Sequence, residues 1–181
     1  MNPLSSLGYM NLTMLAKPIC DRQIYKAIRK NRCRSLVEIG LGDGSRSVNM
    51  IRVAQKFAVS SNVKYTGIDL FDSRENSEPK LSLIEVHRQL KAIQGVKVQL
   101  VPGEMGPAIA RIANSHVRTD LIVISNGVSE KSLEQAWFYF PRMLQSSSIV
   151  MTQRQFNGPF ETLNRLQVEK LTANRSVRRA A

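Results

Sequence analysis

Short apolar runs alternate with amphipathic stretches along most of the chain. The apolar runs predict five strands, at about 35–40, 63–70, 96–101, 120–125 and 148–152. In the stretches between them apolar residues recur every three or four positions, which predicts helices with one buried face. Strands that alternate with helices in this way indicate an α/β fold with a parallel sheet and right-handed crossovers.

A glycine-rich turn after the first strand is the most informative segment. Glu38 lies near the end of that strand, the glycines Gly40, Gly42 and Gly44 follow, and the second strand ends on Asp69. Glycines let the backbone approach a ligand closely, and an acid at a strand tip can accept hydrogen bonds from two ribose hydroxyls. The segment therefore predicts a nucleoside-binding site.

The spacing of the turn separates two kinds of nucleoside ligand. Dinucleotide-binding enzymes favour G-x-G-x-x-G, in which a helix N-terminus holds a pyrophosphate. Here the spacing is G-x-G-x-G, and Glu38 and Asp43 add negative charge that repels a pyrophosphate. The turn thus favours a ligand with positive charge, such as a sulfonium or ammonium group. A nicotinamide-dependent oxidoreductase is the less favoured alternative.

These residues resemble the first motif of the class I S-adenosylmethionine (SAM)-dependent methyltransferases, E-x-G-x-G-x-G. Glu38 and the three glycines match it position by position, and Asp69 occupies the place of the family's ribose-binding acid. The resemblance covers about residues 35–153. It implies a Rossmann-like open sheet of strand order 3-2-1-4-5 flanked by helices, with SAM lying across the carboxyl ends of the strands.

The resemblance also assigns residues to the parts of the cofactor. The turn and Glu38 would hold the methionine part, and Asp69 the ribose. Glu104 would meet the adenine amino group, with Met105 packed beside the ring. The whole expected cofactor-binding set is Glu38, Gly40, Gly42, Gly44, Asp69, Leu70, Glu104, Met105 and Asn126.

The resemblance to this family identifies no catalytic residue and no metal site. Where the family often has an acid after the fourth strand, this chain has Ser125-Asn126-Gly127. Asn126 and Gln153 are a poor ligand set for a hard cation, so no metal is expected. His87 and His116 are expected to be surface or packing residues, because their helices place them far from the strand tips.

Few residues follow the fifth strand. Residues 161–171 predict a helix, which leaves little room for the antiparallel hairpin that usually ends the family's sheet. The hairpin is expected to be shortened or lacking, and the sheet to hold five strands or to be completed by a partner in a homodimer. The single domain then comprises a basic helical extension (1–34), a SAM-binding Rossmann-like core (35–153) and a short basic tail (154–181).

Length and composition fit one domain in a reducing compartment. The chain has 181 residues, of which 43% are hydrophobic, enough for a substantial core. No apolar run approaches the roughly 20 residues that a membrane span requires, and the N-terminal segment does not read as a secretory signal. Cys20 and Cys33 are expected to be free thiols. The protein is therefore expected to be cytoplasmic, without a membrane partner.

The net charge of +12 is concentrated at the two ends of the chain. Residues 1–34 hold seven Lys and Arg against one acid, and residues 165–181 hold five against one. Basic ends attract nucleic acids or other acidic partners over about a Debye length. The other interpretation is that the cations of residues 26–34 only solvate one face of a helix.

Two functions follow from these observations. The leading hypothesis is a SAM-dependent methyltransferase that transfers a methyl group directly to an unidentified acceptor. The alternative is a catalytically inactive protein that keeps the SAM fold and uses its basic termini to bind nucleic acid or a protein. The intact first motif favours the former, whereas the missing acid after the fourth strand favours the latter.

Overall fold

A single mixed sheet organises the computed structural model, which describes residues 3–58, 62–75 and 79–180, with side chains as far as residue 173. The sheet has six strands in the order β3-β2-β1-β4-β5-β6. They are β1 Ser35–Ile39, β2 Val63–Asp69, β3 Val96–Pro102, β4 Thr119–Ile124, β5 Leu144–Gln153 and β6 Phe160–Asn164. The first five run parallel and β6 runs antiparallel to β5. The α/β fold and the order 3-2-1-4-5 are thus confirmed.

Helices cover both faces of the sheet. They are α1 Ser6–Met14, α2 Asp21–Asn31, α3 Ser45–Phe57, α4 Leu83–Lys91, α5 Met105–Ile112, α6 Glu130–Trp137, α7 Phe140–Met143 and α8 Arg165–Ala180. Helices α1 to α4 share one hydrophobic cluster with one face of the sheet, and α5 to α8 share a second with the other face. The predicted apolar stripe of α3 is buried through Val48, Ile51 and Ala54.

The N-terminal segment packs against the sheet's helices. Residues 6–14 form α1, and α1 joins the same cluster as α2 and α3. Pro18 opens a turn, closed by the Asp21 N–H donating to its carbonyl (3.2 Å), and α2 begins only at Asp21. The division of the chain into three segments stays a prediction. Within the described residues, no helix combines the length and apolar character that crossing a bilayer requires.

β5 begins at Leu144, earlier than the predicted start at residue 148. The polar residues Ser146–Ser148 interrupt the apolar pattern and so conceal this start. The pairing of β5 with β4 shifts register near Thr119. There the Ser148 hydroxyl donates to the Thr119 carbonyl (2.6 Å) and accepts from the N–H of Gln145 (2.8 Å). An irregularity of this kind lets polar residues lie inside a strand.

The C-terminal end of the sheet corrects two expectations. Residues 161–164, predicted as helix, belong to β6, and the sheet holds six strands rather than five. Helix α8 begins after a reciprocal cap, in which the N–H of Gln167 donates to Oδ1 of Asn164 and the N–H of Asn164 donates to Oε1 of Gln167, both at 2.9 Å. β6 is the shortened form of the expected hairpin. Because it already pairs with β5, no partner is needed to complete that edge, and the homodimer stays a prediction.

Candidate functional site

A cavity of about 570 Å³ lies at the carboxyl ends of the parallel strands. The loops that follow β1 to β5 all contribute to its wall, through residues 40–43, 69–70, 103–105, 125–129 and 153. The strand order reverses between β1 and β4 at this edge. Crevices at such reversals are where open α/β sheets bind their ligands.

The glycine turn forms the floor of this cavity. Gly40 and Gly42 line it with φ angles of +77° and +63°, a backbone conformation that other residues rarely adopt. A Cβ on Gly40 would lie 3.0 Å from Cβ of Ser125, whereas one on Gly42 would meet no atom within 4 Å. Packing therefore requires glycine at 40, and Gly42 presents its bare backbone to the cavity. Gly44 lies outside the wall, at the start of α3.

Glu38 lies behind the wall and does not line the cavity. Its side chain is fully buried and accepts hydrogen bonds from Arg46 Nε (2.6 Å), from the Ser47 hydroxyl (2.7 Å) and from the Tyr65 hydroxyl. Burial, together with the carboxylate, raises the pKa of Tyr65 well above its ordinary value. Arg46 therefore neutralises the negative charge of Glu38. Glu38 can influence a ligand in the cavity only by positioning Arg46.

Arg46 links the glycine turn to the loop after β4. Its Nη2 donates to the Gly40 carbonyl (2.6 Å) and to the Ser125 hydroxyl, while Nη1 lies 3.5 Å from Oδ1 of Asp21. Although burial opposes the charged form, Glu38 and Asp21 hold the pKa of Arg46 above its ordinary value. This largely buried guanidinium lines the cavity itself and fixes the shape of the turn there.

Asp69 lies on the wall, at the tip of β2, with both carboxylate oxygens occupied. The N–H groups of Leu41 and Phe71 donate to it at 2.8 and 2.9 Å. Arg74 donates twice, Nε to Oδ1 and Nη2 to Oδ2, both at 2.7 Å. Burial works to raise the pKa of Asp69, but these hydrogen bonds outweigh it and leave the pKa below its ordinary value. An internal arginine thus occupies the carboxylate that was expected to bind a ribose.

The remaining expected residues also line the cavity. Glu104 is exposed at the start of α5 and accepts from the Ser132 hydroxyl (3.2 Å), and the adjacent Met105 is buried. Leu70 follows Asp69, and the N–H of Asn126 donates to Oε1 of Gln153 (3.4 Å). Seven of the nine expected residues therefore share one cavity, and Glu38 and Gly44 support it from outside.

The chain is similar to known proteins in its three-dimensional structure. No family model matches the chain, and no curated protein matches it. A candidate caffeoyl-CoA O-methyltransferase from Staphylococcus aureus matches with a TM-score of 0.52 and 16% identity, over 94% of this chain and 77% of that one. The calicheamicin methyltransferase CalS11 matches with a TM-score of 0.56 and 14% identity, over 82% and 65%. The SAH-bound methyltransferase PaMTH1 of Podospora anserina matches with a TM-score of 0.50 and 14% identity, over 77% of this chain and about half (53%) of that one.

The fold is the one these methyltransferase structures share. It is the Rossmann-like sheet expected from the motif, here ended by the single antiparallel strand β6. At these identities the likeness concerns the arrangement of strands and helices, and the chemistry of the cavity has to be argued from its own residues.

Asp21 is a cavity residue that the sequence did not indicate. It begins α2, lines the cavity and is only 4% exposed. Burial raises its pKa from 3.8 to about 6 against the attraction of Arg46, and the charge of Glu38 raises it further. A carboxylate of this kind is ionised at neutral pH and can accept a proton. No motif marks it, because it comes from the segment before the first strand.

The raised pKa of Asp21 predicts a pH-dependent effect on stability. The folded chain binds this proton more tightly than the unfolded chain, so the stability that it contributes is present below pH 3.8 and lost as pH rises through about 6. We expect Asp21→Asn to raise the free energy of unfolding at neutral pH by about 1–3 kcal/mol, and the gain to shrink in acid. Urea unfolding near pH 4 and near pH 7.5 measures the difference.

Asp43 provides the control of opposite sign for this experiment. Hydrogen bonds from Ser45 lower the pKa of Asp43, so its carboxylate favours the folded state at neutral pH. Asp43→Asn should therefore be no more stable than the wild type at pH 7.5. A loss of stability in Asp21→Asn at that pH would contradict the raised pKa.

Histidines, cysteines and acids do not come together elsewhere in the described residues. No group of three or more that could hold a metal ion occurs among them, and the absence of a metal stays a prediction. Cys20 and Cys33 are free thiols. His116 is half-buried against the Thr66 hydroxyl (2.8 Å), and His87 is exposed; neither lines the cavity.

Proposed function

We propose that the chain binds SAM in this cavity and catalyses direct methyl transfer to an acceptor. The observation that carries the proposal is the juxtaposition of the bare backbone of Gly42 with the Asp69 carboxylate at the point where the strand order reverses. A cavity of about 570 Å³ falls within the range of small-molecule sites. The SAH-bound neighbour PaMTH1 shares the fold and supports this choice of ligand.

The proposed contacts follow the order of the strands. The turn Gly40–Gly42 would accommodate the methionine part, and Asp69 would accept hydrogen bonds from the ribose after Arg74 has moved aside. Leu70 and Met105 offer apolar surface for the adenine ring, with Glu104 at its polar edge. Asn126 would complete the pocket.

Electrostatics favour a ligand with positive charge, though for a different reason than the sequence suggested. Glu38 is neutralised by Arg46 and is not on the wall. The carboxylates that do line the cavity are Asp21, Asp43, Asp69 and Glu104, and three cations, Lys17, Arg46 and Arg74, line it as well. The lining therefore carries one more negative than positive charge, which favours a sulfonium or ammonium group over a pyrophosphate.

Asp21 is the residue that we propose as general base. When bound, SAM supplies a methyl group on a sulfonium sulfur. A nucleophilic oxygen or nitrogen of the acceptor gains that methyl group and loses a proton, which Asp21 would take up. Since the pKa of Asp21 is about 6, this carboxylate is ready to accept a proton at neutral pH.

Calorimetric titration with SAM, with its demethylated product and with NAD tests the proposal. We expect micromolar binding of the first two and no binding of NAD. A folded protein that binds neither SAM nor its product would overturn the proposal. The alternative function, an inactive protein with the same fold, gains no support from the methyltransferase neighbours. Part of the basic C-terminus on which it depends, residues 174–181, has side chains outside the described part of the chain.

The position of Arg74 predicts a gain of affinity on its removal. Because its guanidinium occupies both oxygens of Asp69, a nucleoside must displace it before the ribose can bind. We expect Arg74→Gln to bind SAM about 5-fold more tightly, since the competing internal contact is weakened. Calorimetry measures the change. Arg111→Gln, which removes a hydrogen bond to the Pro102 carbonyl instead (2.9 Å), is the matched control. Weaker binding by Arg74→Gln would mean that the arginine contacts the ligand.

A further inference from the structure

A second concavity, independent of the cavity described above, lies between α1, α2 and α3. Its volume is about 680 Å³. Five cations line it: Lys26, Arg29, Lys30, Arg32 and Lys56. No carboxylate is among its lining residues. We call it the basic cleft.

Aromatic rings hold two of these cations in place. The guanidinium of Arg29 lies 5.2 Å from the ring centroid of Tyr9 and 5.3 Å from that of Phe57, which pack edge to face at 4.7 Å. The ammonium of Lys56 lies 5.7 Å from the Phe57 ring and donates to the Leu4 carbonyl (3.0 Å). Contacts of this kind orient a cation without neutralising it. An anion that binds here therefore meets donors that are already ordered.

The charges of the basic cleft are not balanced by nearby acids. Ion pairs within the described residues involve Arg46, Arg74, Arg154 and Arg165, none of which lines this concavity. Five like charges around one concavity repel one another, and a bound polyanion relieves that repulsion. The excess of positive charge predicted for residues 1–34 is thus gathered at one place.

One further cation extends the cleft along one face of α2. Arg22, which is half-buried and donates from Nε to the Ala16 carbonyl (2.9 Å), is spaced four residues from Lys26, as Lys26 is from Lys30, so the three lie on the same side of the helix. This row leads from the basic cleft toward Asp21, at the end of α2 that borders the cavity. A single phosphate group cannot meet cations spread over such a length. The ligand that fits is a polymer with regularly repeated negative charge.

The geometry of α1 argues against a flat anionic membrane as that partner. The exposed apolar residues Leu7, Met10 and Met14 lie about 100–160° around the helix from Tyr9, which faces the cleft, as the helical repeat of roughly 100° per residue requires. A planar surface therefore cannot cover the apolar face and enter the basic cleft together. We propose that the basic cleft and the α2 row bind the phosphate backbone of a nucleic acid, with single-stranded RNA as the probe of choice.

Fluorescence anisotropy of a labelled single-stranded RNA of mixed sequence, measured over a range of salt concentrations, tests this proposal. We expect binding that weakens steeply with salt. The Lys26→Ala/Lys30→Ala variant, whose two side chains are exposed, should bind at least 10-fold more weakly and lower the slope of log K against log salt by about 1–2, as expected for losing one or two phosphate contacts.

A matched variant separates the cleft from overall charge. Arg88→Ala/Lys91→Ala removes two exposed cations from α4 and changes the net charge equally. It should change RNA affinity by less than about 3-fold, because its cations make no phosphate contact. Arg29→Lys keeps the charge but not the planar guanidinium and should also weaken binding. Thermal unfolding of each variant verifies that it is folded.

Three outcomes would overturn the proposal. The first is absence of RNA binding by the folded wild-type protein at low salt. The second is an equal loss of affinity in the α2 and α4 double variants, which would indicate unspecific attraction. The third is cleft-dependent binding to phosphatidylserine vesicles with no binding to RNA, which would assign the surface to membranes. None of these measurements uses SAM, so they are independent of the proposed methyl transfer.

Discussion

Replacing Asp69 with asparagine is expected to weaken SAM binding by about 1–3 kcal/mol, which corresponds to roughly 5- to 150-fold in affinity. Asp69 is the carboxylate on the cavity wall at the tip of β2, and it already accepts four hydrogen bonds from its own chain. Two of these come from Arg74, and in the proposed mode of binding ribose hydroxyls replace them. Asparagine keeps the size of the side chain but offers only one acceptor oxygen and no charge. Titration calorimetry with SAM measures the loss.

A modified ligand makes this experiment specific for the ribose. The 2′-deoxy analogue of the demethylated product lacks one hydroxyl, so the wild type should bind it more weakly than the parent compound. Asp69→Asn should discriminate between the two much less. Asp72→Asn, an exposed acid three residues further along, serves as the control and should behave like the wild type. Equal discrimination by Asp69→Asn and the wild type would remove Asp69 from the ribose site.

Replacing Glu38 with alanine is expected to lower the free energy of unfolding by about 3–5 kcal/mol, the usual loss when one partner of a buried ion pair is removed. The substitution leaves the buried Tyr65 hydroxyl and Ser47 hydroxyl without their acceptor and deprives Arg46 of its closest carboxylate. Urea denaturation followed by circular dichroism measures the change. Such a loss is a large fraction of the stability of a single domain.

An exposed ion pair of the same type supplies the comparison. Arg154 and Glu161 lie 3.0 Å apart, with 83% and 48% of their side chains exposed. Glu161→Ala should cost less than about 1 kcal/mol, because solvent screens the pair. If Glu38→Ala lowered the free energy of unfolding by no more than Glu161→Ala does, Glu38 would not be a structural residue. A direct contact between Glu38 and the ligand would then have to be reconsidered.

The parts of the molecule that the sequence predicted are those encoded over short distances. The glycine turn and the strand tips depend on neighbouring residues, so their pattern carried the resemblance to the methyltransferases, and that resemblance implied the sheet order and most of the cavity wall. The cap formed by Asn164 and Gln167 is equally local, and it could have placed the start of α8 and revealed β6. The apolar positions of residues 161–171 by themselves predict one helix, whereas residues 161–164 belong to β6.

The contacts that the sequence could not supply depend on how side chains are oriented in the fold, even where the partners are only eight residues apart (Glu38 and Arg46) or five residues apart (Asp69 and Arg74). Nothing in the pattern around Glu38 says that Arg46 neutralises it, and nothing around Asp69 says that Arg74 covers it. Asp21 reaches the cavity only because α2 packs on α3. The folded arrangement decides which carboxylate pairs with which guanidinium. These pairs determine which charges remain to act on a ligand.

The contact between Arg74 and Asp69 also bears on how the protein is made. A pocket whose carboxylate is left bare and partly buried tends to depend on its ligand for stability, so that newly synthesised chains fold poorly when the ligand is scarce. Here Arg74 satisfies Asp69 from within the same chain. The folding of this chain therefore requires no ligand to satisfy that carboxylate.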